Sequence, residues 1–262
     1  MSAAGSRSIV WPLLVAGAVL AIAVPARAAT FGVSPVDVTL VHGDRSHLIV
    51  VTNEDSVPLR FQLDGYRWDE RPDGEMALEP SDDLIFFPRL FEVQPRETQN
   101  IRVGVMAPEA ADEKTYRLVI HQLKPFAPGT QAAAGGDRET SVSILTNVSI
   151  PVFVEPAMPA AQASVGPLSM VNGTLKFTVS NSGNAHFRIA MLRLDGFAGG
   201  AAPVFSTTAK GWYVLAHGTR NYSLAVPRSD CLKATRLKLS IQTDHGNLGG
   251  DLMVTAAECG AS

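Results

Sequence analysis

The chain has 262 residues, of which 46% are hydrophobic and 18% charged, with 22 Gly, 17 Pro and only 2 Cys. That apolar share excludes a disordered chain, and two cysteines exclude a disulfide-dense mini-scaffold and any four-thiolate zinc or iron–sulfur site. The formal charge of −3 hides an asymmetry: residues 29–156 hold 20 acids and 11 bases, residues 157–262 hold 5 acids and 9 bases, so a half at −9 precedes a half at +4. A shift of that size suggests two units with separate surfaces, and neither half concentrates the basic patch that nucleic acid requires.

In chain order, Arg7, an apolar run from Ile9 to Val24 and the Ala26-Arg27-Ala28 tripeptide form the charged, apolar and small-x-small regions of a cleaved secretory signal over residues 1–28. The run is short for a membrane span and ends at Pro25, so the expectation is an exported protein with no membrane-embedded segment after cleavage. Short period-two alternations follow, bounded by Gly, Pro, Asn and Asp. Leu48, Val50 and Thr52 alternate with Ile49 and Val51; Phe61 and Leu63 with Arg60 and Gln62; Ile101, Val103 and Val105 with Arg102 and Gly104; Tyr116, Leu118 and Ile120 with Arg117, Val119 and His121. Side chains of a strand point alternately to opposite faces, so such runs predict half-buried antiparallel strands. Trp68 is expected in the first core, as are Phe86, Phe87 and Phe91 in preference to a partner-facing patch. Asp69-Glu70 and Asp82-Asp83 read as solvated loop charges.

Between Lys124 and Thr140 a stretch rich in Pro and Gly predicts a mobile loop. Directly after it, Thr140 to Val154 is the longest alternating run, with Val142, Ile144, Thr146, Val148, Ile150 and Val152 on one face. At about fifteen residues it is far longer than the usual five or six, and Pro151 lacks the N–H that a central strand would donate. An ordinary core strand is one reading. The other is an edge strand that binds by adding itself to a foreign sheet, with main-chain bonds giving affinity and alternate side chains giving selectivity.

The second half repeats the pattern in Leu175, Phe177 and Val179 and in Leu237, Leu239 and Ile241. About seven runs precede Pro156 and six or seven follow it. The predicted fold is all-β, two immunoglobulin-like sandwiches in series, with domains at 29–156 and 157–262. Cys231 and Cys259, even in number and exported, predict a disulfide closing a loop of about 29 residues. No histidine stands at ligand spacing to either cysteine, the six histidines are scattered, and no nucleophile elbow or phosphate loop occurs. The expectation is therefore no metal, no cofactor and no enzyme.

The ordered set Val33-Ser34-Pro35, Val51-Thr52-Asn53, Pro58-Leu59-Arg60-Phe61, Trp68, Phe86 to Pro95, Glu113 to Leu118 and Ile150-Pro151-Val152-Phe153-Val154-Glu155-Pro156 resembles the PapD-like periplasmic chaperones of chaperone–usher pilus assembly. The Ser-Pro opening and the Ile-Pro-Val-Phe-Val run look closest to the archaic branch associated with spore-coat-U-like subunits. The second half matches mainly through Val179 to Asn184 and Phe187. The resemblance implies an L-shaped pair of domains that binds without chemistry, lends its long strand to a pilin subunit lacking its own last strand, and delivers that subunit to an outer-membrane usher. It also implies Val142, Ile144, Thr146, Val148 and Ile150 as the groove-filling residues. The family anchors the subunit's terminal carboxylate with an Arg and a Lys, whereas Asp37 and Pro151 stand at those positions here; Arg45, Arg60 and Arg117 are the substitute candidates. Glu155 before the hinge proline is expected to pair with an arginine of the second half. The alternative reading is a non-catalytic envelope binding module or adhesin built from two sandwiches.

Overall fold

The computed structural model describes residues 30–106, 110–124 and 144–260. The expected signal segment 1–28, most of the Pro/Gly-rich loop and Val142 lie outside the described residues. Ten strands form the first sandwich: β1 (Phe31–Ser34), β2 (Val38–Leu40), β3 (Ser46–Asn53), β4 (Leu59–Glu70), β5 (Met76–Pro80), β6 (Leu84–Phe87), β7 (Leu90–Val93), β8 (Thr98–Val105), β9 (Lys114–Leu123) and β10 (Asn147–Val154). The count exceeds the expected seven partly because Pro35 and Pro88, each after a cis peptide bond, divide β1 from β2 and β6 from β7. One sheet has the order β1-β3-β8-β6; the other runs β2-β10-β9-β4-β5, with β7 also on β4. Their inner faces bury the alternating residues read from the sequence, among them Phe61, Ile101, Leu118, Ile120, Ile150 and Val152, while in β3 it is Ile49 and Val51 that turn inward and Leu48 that stays exposed.

Nine strands form the second sandwich: β11 (Ala163–Val165), β12 (Ser169–Val171), β13 (Thr174–Asn181), β14 (Phe187–Phe197), β15 (Phe205–Lys210), β16 (Tyr213–Val214), β17 (Thr219–Ala225), β18 (Arg236–Thr243) and β19 (Gly246–Met253). β13 carries β11, β12 and β17; the facing sheet has the order β15-β14-β18-β19, with β16 on β14. Leu175, Phe177, Val179, Leu237, Leu239 and Ile241 fill its core. Cys231 and Cys259 are disulfide-bonded and buried in the same core.

Each sandwich closes one end with a buried asparagine. Asn53 donates its side-chain amide to the Val57 and Val93 carbonyls, and Asn181 donates to those of Ala185, Val214 and Leu215. Each thereby satisfies loop carbonyls that would otherwise be buried without a partner.

A third cluster lies between the sandwiches and corrects the expectation for Trp68. Its indole packs with Phe153, Leu215 and Tyr213 rather than in the first core. Trp68 and Phe153 sit on the outer face of their sheet, and the second sandwich covers that face. Of the three phenylalanines, Phe86 is core and Phe91 packs against it, but Phe87 is 76% exposed.

Acids of the first sandwich meet bases of the second around this cluster. The buried Glu113 carboxylate accepts the His186 backbone N–H at 2.9 Å and pairs with its Nδ1 at 2.8 Å, while the imidazole stacks on Phe153. Asp112 pairs with His217. Glu70, read from the sequence as a solvated loop charge, is buried in an ion pair with Arg220, and the Asn221 N–H beside it donates to the Pro72 carbonyl. Asp83 accepts the Tyr116 hydroxyl. Among the described residues no ion pair reaches Glu155; its backbone N–H donates to the Leu40 carbonyl. The expected elbow acid is thus replaced by Glu70, Asp112 and Glu113.

Candidate functional site

The site begins with an unfinished ladder. β10 pairs antiparallel with β9 along its whole length, from Asn147 opposite His121 to Val154 opposite Lys114. On its other side β2 pairs in parallel only with Val152, Phe153 and Val154. Among the described residues no strand pairs with Asn147–Pro151 on that side, so this stretch presents open main-chain groups. The opening ends at Pro151 because β2 starts at Val38, opposite Val152. Open N–H and C=O groups of this kind are a template for one more strand.

The expected donor face divides along its length. Ile144 is 58% exposed and Thr146 is exposed. Val148 is half-buried against the first core, and Ile150 is fully buried within it. Ile150 is therefore not offered to a partner: the facing sheet of its own sandwich covers it. Val142 is outside the described residues. The regular strand also starts later than expected, at Asn147 opposite His121, although β9 runs on to Leu123. Just before it, Thr146 is held by Gln122, whose backbone N–H donates to the Thr146 carbonyl and whose Oε1 accepts the Thr146 N–H.

The three candidate arginines are far apart. Arg45 is exposed in the loop before β3, and Arg60 lies on β4 opposite Leu123, beyond the far end of the opening. Arg117 stands on β9 directly opposite Pro151, where the opening ends. It is 3% exposed, with its guanidinium carbon 3.7 Å from the centre of the Trp68 ring and 5.6 Å from that of Trp212. Among the described residues its Nε and Nη2, both closed to solvent, have no hydrogen-bond partner. Burial pushes its pKa down to about 10. A buried cation with unused donors is costly to fold around, and such groups concentrate where an anion is to be bound.

Arg117 forms the floor of a cleft of about 370 Å³ between the sandwiches. Ser149 and Pro151 of the open edge line one wall; Arg188, Lys210 and Trp212 line the other. Three cations and no carboxylate line this cleft. The sequence reading missed Arg188, Lys210 and Trp212. The one local signal was the Lys210-Gly211-Trp212-Tyr213 run, which joins a cation to two aromatics between strands. Asp37 lines the adjoining cavity together with Arg188 and Asp244.

Residues 30–160, half of the chain, match the pili and flagellar-assembly chaperones through the PapD N-terminal domain. The chain belongs to this family. No relative matches among curated proteins. Solved structures with the same fold include the CsuC–CsuE chaperone–tip adhesion subunit complex of archaic Csu pili from Acinetobacter baumannii, at 16% identity and TM-score 0.55, covering 85% of this chain and 98% of that one. The Salmonella enterica SafA pilin in complex with the SafB chaperone aligns at 13% identity and TM-score 0.56, over 87% and 99%. The E. coli chaperone DraB aligns at 15% identity and TM-score 0.52, over 87% and 100%. At these identities the likeness establishes the two-sandwich chaperone fold.

Proposed function

We propose that this chaperone works in the periplasm, after signal cleavage, by binding an incomplete β-sandwich subunit of the pilin class without catalysing any reaction, and that it passes the subunit to an outer-membrane usher. The observation that carries the reading is the juxtaposition of the open Asn147–Pro151 edge with the buried, unsatisfied Arg117 at its end. The subunit's last strand runs parallel to β10, so that its C-terminus arrives at the cleft. There the terminal carboxylate takes the free donors of Arg117, with Arg188 and Lys210 adding positive field. Ile144 and Thr146, with Val142 before them, supply the side chains that fill the subunit's groove, and Val148 marks the change from donor to core. Arg117 thus takes the part that the family gives to the residues replaced here by Asp37 and Pro151. Co-expression with small secreted β-subunits followed by affinity capture tests the reading. The chaperone is expected to hold such a subunit soluble, and both Ile144→Asp and Arg117→Met are expected to release it while remaining folded. Undiminished capture by both variants refutes the assignment.

A further inference from the structure

The cleft over Arg117 is larger and more apolar than a carboxylate needs. A carboxylate displaces little more than one or two waters, each about 30 Å³ of liquid, against a cavity of about 370 Å³. Beyond the cations, the walls are Val36, Pro151, Ile189, Ala190 and Trp212. Two of these keep large apolar surface in water: Val36 is 67% exposed and Trp212 is 37% exposed. Tyr213 holds the Trp212 indole edge-on at 5.7 Å, so the ring is positioned rather than loose. Exposed apolar groups rimmed by charge mark a surface that is completed by something else.

On the reading that a subunit's terminal carboxylate reaches Arg117, we propose that the same cleft also selects the side chain of the subunit's last residue, taking an aromatic or large aliphatic one. The occupant is fixed by two observations: positive charge with unused donors at the floor, and continuity of the wall with the open strand edge at Pro151. A chain that ends with its carboxylate on Arg117 has one remaining group to place, its last side chain, and the surface there is Trp212 with Val36 and Pro151. Arg117, Arg188 and Lys210 together exclude a cationic side chain. Asp37 and Asp244 line the neighbouring cavity with Arg188, and Asp244 accepts the Arg188 backbone N–H, so an acidic side chain meets carboxylates as well as the three cations.

The test uses the full mature chain and synthetic peptides N-acetyl-Ser-Val-Thr-Val-X, with X as Phe, Leu, Glu, Gly or Lys, and the Phe peptide also as its C-terminal amide. Dissociation constants are read by isothermal titration and by tryptophan fluorescence. Phe and Leu are expected to bind about tenfold more tightly than Gly, with Lys weakest. Trp212→Ala is expected to bring the Phe-to-Gly ratio near one while the free acid still outbinds the amide; Arg117→Met is expected to abolish the preference for acid over amide. Equal affinities for Phe and Gly, with the acid still preferred, overturn side-chain selection and leave the carboxylate reading standing. Tightest binding by Glu overturns it in favour of charge alone. No difference between acid and amide, or no binding by any peptide, removes the carboxylate reading and this inference with it.

Discussion

Replacing Arg117 separates the demands of folding from those of binding. Arg117 is 3% exposed, its Nε and Nη2 find no partner among the described residues, and burial pushes its pKa down to about 10. At about 1.4 kcal/mol per pH unit, holding the cation there costs the folded state roughly 3 kcal/mol at neutral pH. The stack on Trp68 at 3.7 Å returns about 1–2 kcal/mol of that. Arg117→Met keeps an unbranched apolar stem against the indole and removes the charge. The variant without a subunit is expected to gain about 1–2 kcal/mol, a rise in Tm of about 2–6 °C for a chain of this size, read by thermal and urea unfolding. The unfolded chain holds the Arg117 proton more tightly than the folded one. The penalty is therefore complete below pH 10 and relaxes above it, so the gap between variant and parent stays flat from pH 6 to 9 and narrows beyond 10. With a subunit bound the order reverses, because only the parent pairs the carboxylate. A variant that loses 1 kcal/mol or more without a subunit refutes the reasoning, since Arg117 would then be a structural residue already satisfied where it stands.

Ile144→Asp should leave the unfolding midpoint unchanged and abolish subunit capture, whereas Ile150→Asp puts a carboxylate into the first core and should cost more than ~3 kcal/mol, visible as lost near-UV circular dichroism. Glu113→Leu strands the buried His186 N–H and should cost about 1–3 kcal/mol while widening the particle in small-angle scattering, with both cores intact. The double change Cys231→Ala, Cys259→Ala reopens a loop of separation 28 and should lower the second sandwich by roughly 3–4 kcal/mol on the chain-entropy account, measured by urea unfolding. Burial, followed by the charge of Asp83 and the hydrogen bond to it, pushes Tyr116 up to about 12. The unfolded chain ionises first, so the contribution of Tyr116 falls as pH climbs from 10 to 12, against the opposite trend of Arg117; the parent-to-Tyr116→Phe stability difference should therefore shrink across that range in unfolding curves.

Period-two reading located the cores because burial within one sandwich is a local property of a strand. Tyr116, Leu118 and Ile120 could be placed from their spacing alone. The same reading could not tell where a donor face becomes a core face. Ile144 and Ile150 are equivalent by periodicity; they differ because only Ile150 has its own facing sheet above it. Arg117 read as an outward strand residue and one of three anchor candidates, Trp68 as an inward core residue. Both belong to an outer face that the second sandwich covers, and no local pattern records where a neighbouring domain docks.

The charge asymmetry carries the same point further. An acidic first half and a basic second half suggested separate surfaces, yet Glu70, Asp112 and Glu113 meet Arg220, His217 and His186 directly across the elbow. Polar contacts set on two facing surfaces, with the Glu70–Arg220 ion pair among them, fix register and orientation more than they add stability. Here orientation is what the cleft requires. Arg117 belongs to the first sandwich, while Arg188, Lys210 and Trp212 belong to the second, so a rotation at the elbow would part the carboxylate's floor from its far wall. Burial is the discriminating difference: Asp112 and His217 are each more than half exposed, whereas the Glu70 and Glu113 side chains are buried against Arg220 and His186. If those two buried contacts set the angle, Asp112→Asn should leave subunit affinity unchanged in a titration; a marked loss of affinity in that variant would place control of the angle in the exposed pair instead.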